Sequence, residues 1–296
     1  MKPVNIQRKL KVALPAGSLK EATLELLRKA GFKISLPDRT YIPQIDDSEL
    51  ECMFIRAQEI PRYIEQGKFD MGITGKDWIE ETEAAVEEIA ELKYSKYGLN
   101  AIRLVLAVPE NSPIRKLSDL NGKTIATELV NVTKKFLVKN NVKADVEYSW
   151  GATEAKPPML ADAIAELTDR GTSLRANNLR IVAEILTAPT KMIANKKSNQ
   201  DPWKKQKIKT LALLIQSALD AKSMVGLKLN VSTLKLKEIL ACLPALRNPT
   251  ISPLSQKGWC SVESVLPEKD VKEIIPKLII LGATGIIEYP LNKIIY

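Results

Sequence analysis

A chain of 296 residues, 45% apolar and 27% charged, is long enough for two or three domains with sizeable cores. It has no apolar run of the roughly 18 residues a membrane span needs, and its first residues lack the apolar core of a secretion signal, so a cytoplasmic location with no membrane partner is expected. The formal charge of +9 suits anionic ligands, but aromatic residues are only 5% and no basic run is interleaved with them, which argues against a nucleic acid partner. The absence of histidine excludes any imidazole base or ligand, and Cys52, Cys242 and Cys260 lack the spacing of a zinc site or a disulfide framework.

In chain order, Leu10–Leu14 reads as a strand, followed by Pro15-Ala16-Gly17-Ser18 and a helix from Leu19 to about Ala30, where Gly31 stops it. Cys52–Ile55 is a strand and Gln58–Gln66 a helix. Phe69–Ile73 is a strand that runs through Thr74-Gly75 into a helix opening at Lys76-Asp77. A second lobe is expected from about Asn100, with strands at 101–108, 123–127, 144–148 and 163–167 and a helix over 130–140. Leu186–Lys196 then returns the chain to the first lobe. The lysines 191, 196, 197, 204, 205, 207 and 209 read as a solvated linker and helix start, with Asp201-Pro202 opening the helix.

After that helix, strands at 224–231, 250–254, 259–266 and 285–289 alternate with helices over 232–243 and 269–281, the βαββαβ order of a ferredoxin-like module. The expected fold class is therefore α/β, with a two-lobed, binding-protein-like part and a C-terminal ferredoxin-like domain. The expected domains are 1–98 with 186–209 for the first lobe, 99–185 for the second, and 210–296 for the third.

The chemistry is concentrated in Trp150-Gly-Ala-Thr-Glu154-Ala-Lys156 and Asp162-Ala-Ile-Ala-Glu166-Leu-Thr168-Asp169-Arg170-Gly171-Thr172-Ser173-Leu174. A buried strand with an acid at each end would run into a loop of glycine, hydroxyls and one arginine. Backbone amides around such a glycine form a concavity that accepts phosphate, and Thr172 and Ser173 add hydroxyl donors. From the pattern alone, an ordinary strand followed by a polar turn accounts for the segment equally well.

This stretch resembles the phosphoribosyl-pyrophosphate loop of the ATP phosphoribosyltransferases. Leu14–Leu19, Phe54–Pro61 and Asp70–Asp77 resemble three earlier segments of that family, in the same order. Asn248–Leu254 with Trp259 resembles the histidine-binding regulatory domain of its long form. Arg170 stands where the family usually has threonine. Ala16 and Ser18 stand where many relatives carry a basic residue, and Asn230 where a relative uses aspartate.

The resemblance implies transfer of a phosphoribosyl group from phosphoribosyl pyrophosphate to N1 of ATP, at the entry to histidine biosynthesis. Pyrophosphate leaves, and the enzyme is feedback-inhibited by L-histidine. It assigns Glu154, Asp162 and Glu166 to catalysis. Asp162, Glu166, Asp169, Arg170, Gly171, Thr172 and Ser173 bind phosphoribosyl pyrophosphate, and Lys11, Gly17, Ser18, Arg56, Thr74, Gly75, Asp77 and Lys156 bind ATP. Asn230, Thr250 and Gly285 bind the histidine effector. Magnesium (Mg2+) is expected to arrive with the pyrophosphate, without a dedicated protein cage. A homo-oligomer, dimer or hexamer, is implied. The alternatives are a catalytically weak paralogue and an intracellular amino-acid-binding protein of the same fold.

Overall fold

The computed structural model of the chain describes residues 8–37, 40–94, 102–243 and 249–296. Asn100, Ala101, Asn248 and the expected lobe boundary at 98–99 lie outside the described residues. The chain packs as two compact units divided between Ala212 and Leu213, the second also taking Lys29–Gly31.

The first unit begins with β1 (Leu10–Ala16) and α1 (Lys20–Lys29), then a short ribbon of β2 (Ile34–Ser35) and β3 (Gln44–Ile45). β4 (Leu50–Arg56), α2 (Ile60–Glu65), β5 (Met71–Gly75), α3 (Lys76–Thr82) and β6 (Glu87–Leu92) follow. Apolar periodicity explains α1: Thr23, Leu24, Leu26 and Leu27 bury one face. Gly31, at φ +104°, then turns the chain where a side chain would be strained.

The second lobe holds β7 (Ile102–Pro109), β8 (Thr124–Thr127), α4 (Val130–Lys139), β9 (Asp145–Tyr148), β10 (Ala163–Thr168), α5 (Thr172–Ala176) and β11 (Leu179–Ala188). β12 (Thr190–Ala194) lies back in the first sheet, and α6 (Pro202–Ala221) follows. The two sheets have the orders β4-β1-β5-β12-β6 and β11-β7-β10-β8-β9. In the first, β4, β1 and β5 run parallel; in the second, β10, β8 and β9 do. Wholly buried Leu104, Leu106, Leu120 and Ile125 anchor the second lobe's core, each such side chain contributing about 1.5–3 kcal/mol.

Several expectations are corrected here. Leu186–Ala188 still pairs with Leu104–Ile102 in the second sheet, so the return to the first sheet comes at Pro189 and not at Leu186. The lysine run is not a solvated linker throughout. Lys191 sits within β12 and pairs with Glu88 and Glu91, and Lys207 pairs with Asp47 and Glu49. Lys204 reaches the buried Asp70, whose carboxylate also accepts the Lys11 amide and the Ser198 hydroxyl. β6 goes beyond the sequence pattern, because Glu87-Glu-Ile-Ala-Glu-Leu92 is too acidic to read as a strand; Lys76 and Lys191 supply the neutralising charge.

The second unit contains β13 (Met224–Ser232), α7 (Leu236–Cys242), β14 (Thr250–Pro253), β15 (Trp259–Pro267), α8 (Glu268–Ile280) and β16 (Thr284–Pro290). The sheet order β14-β15-β13-β16, antiparallel throughout, is the ferredoxin-like arrangement. Val225, Leu227, Leu229 and Val231 on β13 pack with Cys260, Val262 and Leu266 on β15 and with Ile239, Val271, Ile274 and Leu278 of the helices. α7 starts later than the apolar pattern suggests, because the Lys235 amide bonds the Ser232 carbonyl and makes a turn first.

Candidate functional site

Parallel strands deliver their following loops to one edge of a sheet, which is why ligands of open α/β proteins collect there. The turns after β1, β4 and β5 line a cleft of about 210 Å³ with Gly17, Ser18, Arg56, Gln58, Gly75 and Asp77. Residues at the same end of the second sheet, Ile102, Glu128, Leu167 and Ala188, close it from the other side. Gly17 is at φ +83°, and a Cβ there would lie 3.3 Å from an Arg56 guanidinium nitrogen. Its lack of a side chain leaves room for Arg56 at the cleft.

Asp77 is 4% exposed and has no cationic partner among the described residues; burial pushes its carboxyl from an ordinary 3.8 to about 7, against the pull of the Trp78 amide and its own. Glu166 is likewise raised by burial to about 7. Repulsion from Glu154 and, more weakly, Glu128 adds to this, while the Leu167 amide and the Thr153 hydroxyl oppose it. Thus Glu154, Glu166 and Glu128 share one electrostatic neighbourhood, beside a cleft that Glu128 itself lines.

The loop after β10 is shaped by its own hydrogen bonds. Thr168 Oγ1 accepts the Gly171 amide at 2.8 Å, and Gly171, at φ +70°, turns the chain into α5. Thr172 and Ser173 therefore open a helix whose first-turn amides have no partner inside the helix. Arg170 is exposed and only loosely paired with Asp169, at 3.7 Å, so its guanidinium remains available to an anion.

Other expected residues are not brought together. Asp162 precedes β10, whereas the phosphate-type loop follows it, so the strand's length of roughly 20 Å separates them. Its carboxylate is used locally by the Thr124 amide (2.9 Å) and Lys123 (3.2 Å), and the Thr124 bond first, then Lys123, holds its pKa down. Lys11 likewise lies at the start of β1, at the end of the strand away from Gly17. Thr74 is fully buried, its hydroxyl donating to the Ala57 carbonyl, so it braces the Arg56 turn without lining the cleft. Lys156 does not line the cleft.

Glu128, Gln58 and Trp78 line the cleft without having been singled out from sequence. A signal existed for Glu128, which directly follows a strand parallel to β10.

In the second unit, Asn230 and Gly285 meet: Asn230 pairs in register with Thr284, and a Cβ on Gly285 would lie 3.2 Å from the Asn230 amide nitrogen. Thr250 does not join them within one chain, because β15 lies between β14 and β13 and its register partner is Glu263. Ser261, opposite Asn230 on β15, has a buried hydroxyl with no hydrogen-bond partner among the described residues.

Two facing α/β lobes with glycine turns, Arg56 and the acids Asp77 and Glu128 at their shared cleft define a two-lobed α/β protein with a polar cleft between its lobes. The ATP phosphoribosyltransferase family profile matches residues 56–217, and the profile described as "HisG, C-terminal domain" matches 221–293. An ATP phosphoribosyltransferase from Chlorobaculum parvum is 55% identical over 291 residues, covering 98% of this chain and 99% of its own. One from Solibacter usitatus is 54% identical over 97% of this chain and 99% of its own. A solved structure, the ATP phosphoribosyl transferase (HisG:HisZ) complex from Thermotoga maritima, has a TM-score of 0.61 at 26% identity, covering 71% of this chain and 98% of that one. The chain belongs to the ATP phosphoribosyltransferase family and is a transferase of histidine biosynthesis acting on ATP and phosphoribosyl pyrophosphate. The amino-acid-binding alternative receives no support.

Proposed function

We propose that the loop Asp169–Ser173 holds the 5′-phosphate of phosphoribosyl pyrophosphate, while Gly17, Ser18, Arg56, Gly75 and Asp77 form the ATP side of the cleft. The observation that carries this reading is the convergence of two glycine-bearing turns, the Arg56 turn and the acids Glu128 and Asp77 on one cleft. Aligning N1 of adenine with C1′ of the sugar can by itself lower the barrier by about 7–11 kcal/mol, so no strong base is required. Glu166 and Glu154 face the positive charge that develops on the sugar as its bond to pyrophosphate lengthens. Arg170 and Arg56 offset the charge of the departing pyrophosphate.

Magnesium belongs to the substrate in this reading, carried in on the pyrophosphate. Among the described residues no group of three or more acidic or cysteine side chains is assembled that could hold a metal ion. No helix among the described residues is long and apolar enough to cross a membrane, and action in the cytoplasm is part of the proposal. The test is to follow product absorbance with ATP, phosphoribosyl pyrophosphate and magnesium, comparing the unaltered chain with Glu166→Gln. Full turnover in a folded Glu166→Gln protein would overturn the assignment.

The second unit is proposed to bind L-histidine and to slow the reaction, within a homo-oligomer that is a dimer or hexamer. Asn230, Gly285 and the unpartnered Ser261 hydroxyl support this, since a buried donor without a partner is costly unless a ligand or water meets it. Thr250 can belong to the same site only if a second copy contributes it. Coupling of about 1–3 kcal/mol would give roughly 5- to 150-fold inhibition. Calorimetry that detects no binding of millimolar L-histidine would remove the regulatory reading and leave the catalytic one standing.

A further inference from the structure

Helix α4 has no cap of its own. Its N-cap position is Leu129, which offers no side-chain hydrogen bond, and its first turn carries no acid. The missing partner comes from the other lobe. Glu81, in the last turn of α3, accepts the Asn131 amide with Oε1 and the Val132 amide with Oε2, each at 3.0 Å. The Asn131 side chain returns a bond to the Glu81 carbonyl at 2.9 Å, and Lys135 of α4 pairs with Glu83 at 2.6 Å. A carboxylate on the first amides of a helix satisfies orphan donors and meets the positive end of the helix dipole.

The two ends of this contact lead directly to the cleft. On α3, Asp77 and Trp78 lie about one turn before Glu81, both line the cleft, and Trp78 also packs against the second lobe's core. On the other side, Glu128 lines the cleft two residues before α4 begins. We infer that Glu81 is a positioning residue for the transfer reaction: by capping α4 from the opposite lobe, it sets Glu128 and the second lobe at a fixed separation from Asp77 and the nucleotide side. The inference rests on the cleft being the substrate site. Glu81 itself does not line the cleft.

The test compares Glu81→Gln, Glu81→Ala and Glu81→Ala/Asn131→Asp in the full chain. The added aspartate gives α4 a negative charge at its own N-terminus but no tie to α3, so it separates helix stability from lobe spacing. Glu81→Ala is expected to raise the KM of both substrates at least about 10-fold with a smaller change in kcat. Glu81→Gln, which keeps one acceptor, is expected to fall between it and the unaltered chain, and it serves if the alanine variant does not fold. Glu81→Ala/Asn131→Asp is expected to regain thermal stability while KM stays raised. Unchanged KM values in a folded Glu81→Ala or Glu81→Gln protein would overturn the inference, as would recovery of KM in the double variant. If the cleft were not the substrate site, Gly75→Ala would also leave both KM values unchanged, which separates that failure from this one.

Discussion

The Asp77 carboxylate occupies the space a side chain on Gly75 would need: a Cβ there would lie 1.9 Å from Oδ1. Glycine at 75 is therefore what allows an acid to fold back over the last residue of β5 and stay buried at the cleft. Gly75→Ala is expected to expel the Asp77 carboxylate and cut kcat/KM at least about 10-fold, a cost of roughly 1.4 kcal/mol or more in transition-state binding. Steady-state kinetics on the folded variant would check it; unchanged kcat/KM with unchanged KM for both substrates would show that this cleft is not the substrate site.

Stability should fall as pH rises between about 4 and 7. Asp77 titrates near 7 when folded but near 3.8 when unfolded, so across that window the folded chain binds the extra proton and loses it as pH increases. Glu166 acts in the same direction, and no histidine titrates there to oppose them. The lowered carboxyls of Asp162 and Glu88 act instead at lower pH, their stabilisation being lost as pH falls below the ordinary carboxylate range. Asp77→Asn should remove a cost on the order of 4 kcal/mol present above pH 7. Melting curves at pH 5 and pH 8 would read this as a flatter dependence; an unchanged slope would contradict it.

Thr168→Ala should damage the phosphate loop from below. The Gly171 amide would lose its acceptor inside a buried turn, which costs about 1–3 kcal/mol. The expected result is a raised KM for phosphoribosyl pyrophosphate with a smaller change for ATP. Equal changes in both would mean that the loop does not serve one substrate in particular.

Asp162→Asn should lower stability by roughly 1–2 kcal/mol and leave kcat within a few-fold, because the carboxylate serves the Thr124 amide and Lys123 at the far end of β10. Chemical denaturation and an activity assay on one preparation would decide it. A collapse of kcat with full stability would restore the catalytic role that the family resemblance suggested.

Much of the fold was legible in the chain. The strands expected over 10–14, 69–73 and 163–167 announce themselves as short apolar runs ended by glycine or hydroxyl turns, and the one over 52–55 as an apolar run alone, a local property that burial rewards directly. The βαββαβ order after Met224 is likewise carried by periodicity, and the phosphate-type loop by its glycine and hydroxyls. Lobe membership near Leu186 was not legible, because β11 and β12 are apolar strands joined at Pro189 and only pairing assigns each to its sheet.

By itself, then, the sequence determined most of the element order, the turn chemistry and the exclusion of any imidazole mechanism, since these depend on residues close together or absent altogether. Tertiary structure alone decided which acids share the cleft. Asp162 and Glu166 are neighbours in sequence, yet the direction of β10 sends one away from the loop and brings the other to Glu154 and Glu128. It also decided that α4 is capped by Glu81, fifty residues earlier in the chain. A strand's direction and a helix cap donated by another lobe are set by long-range packing, which no local pattern encodes.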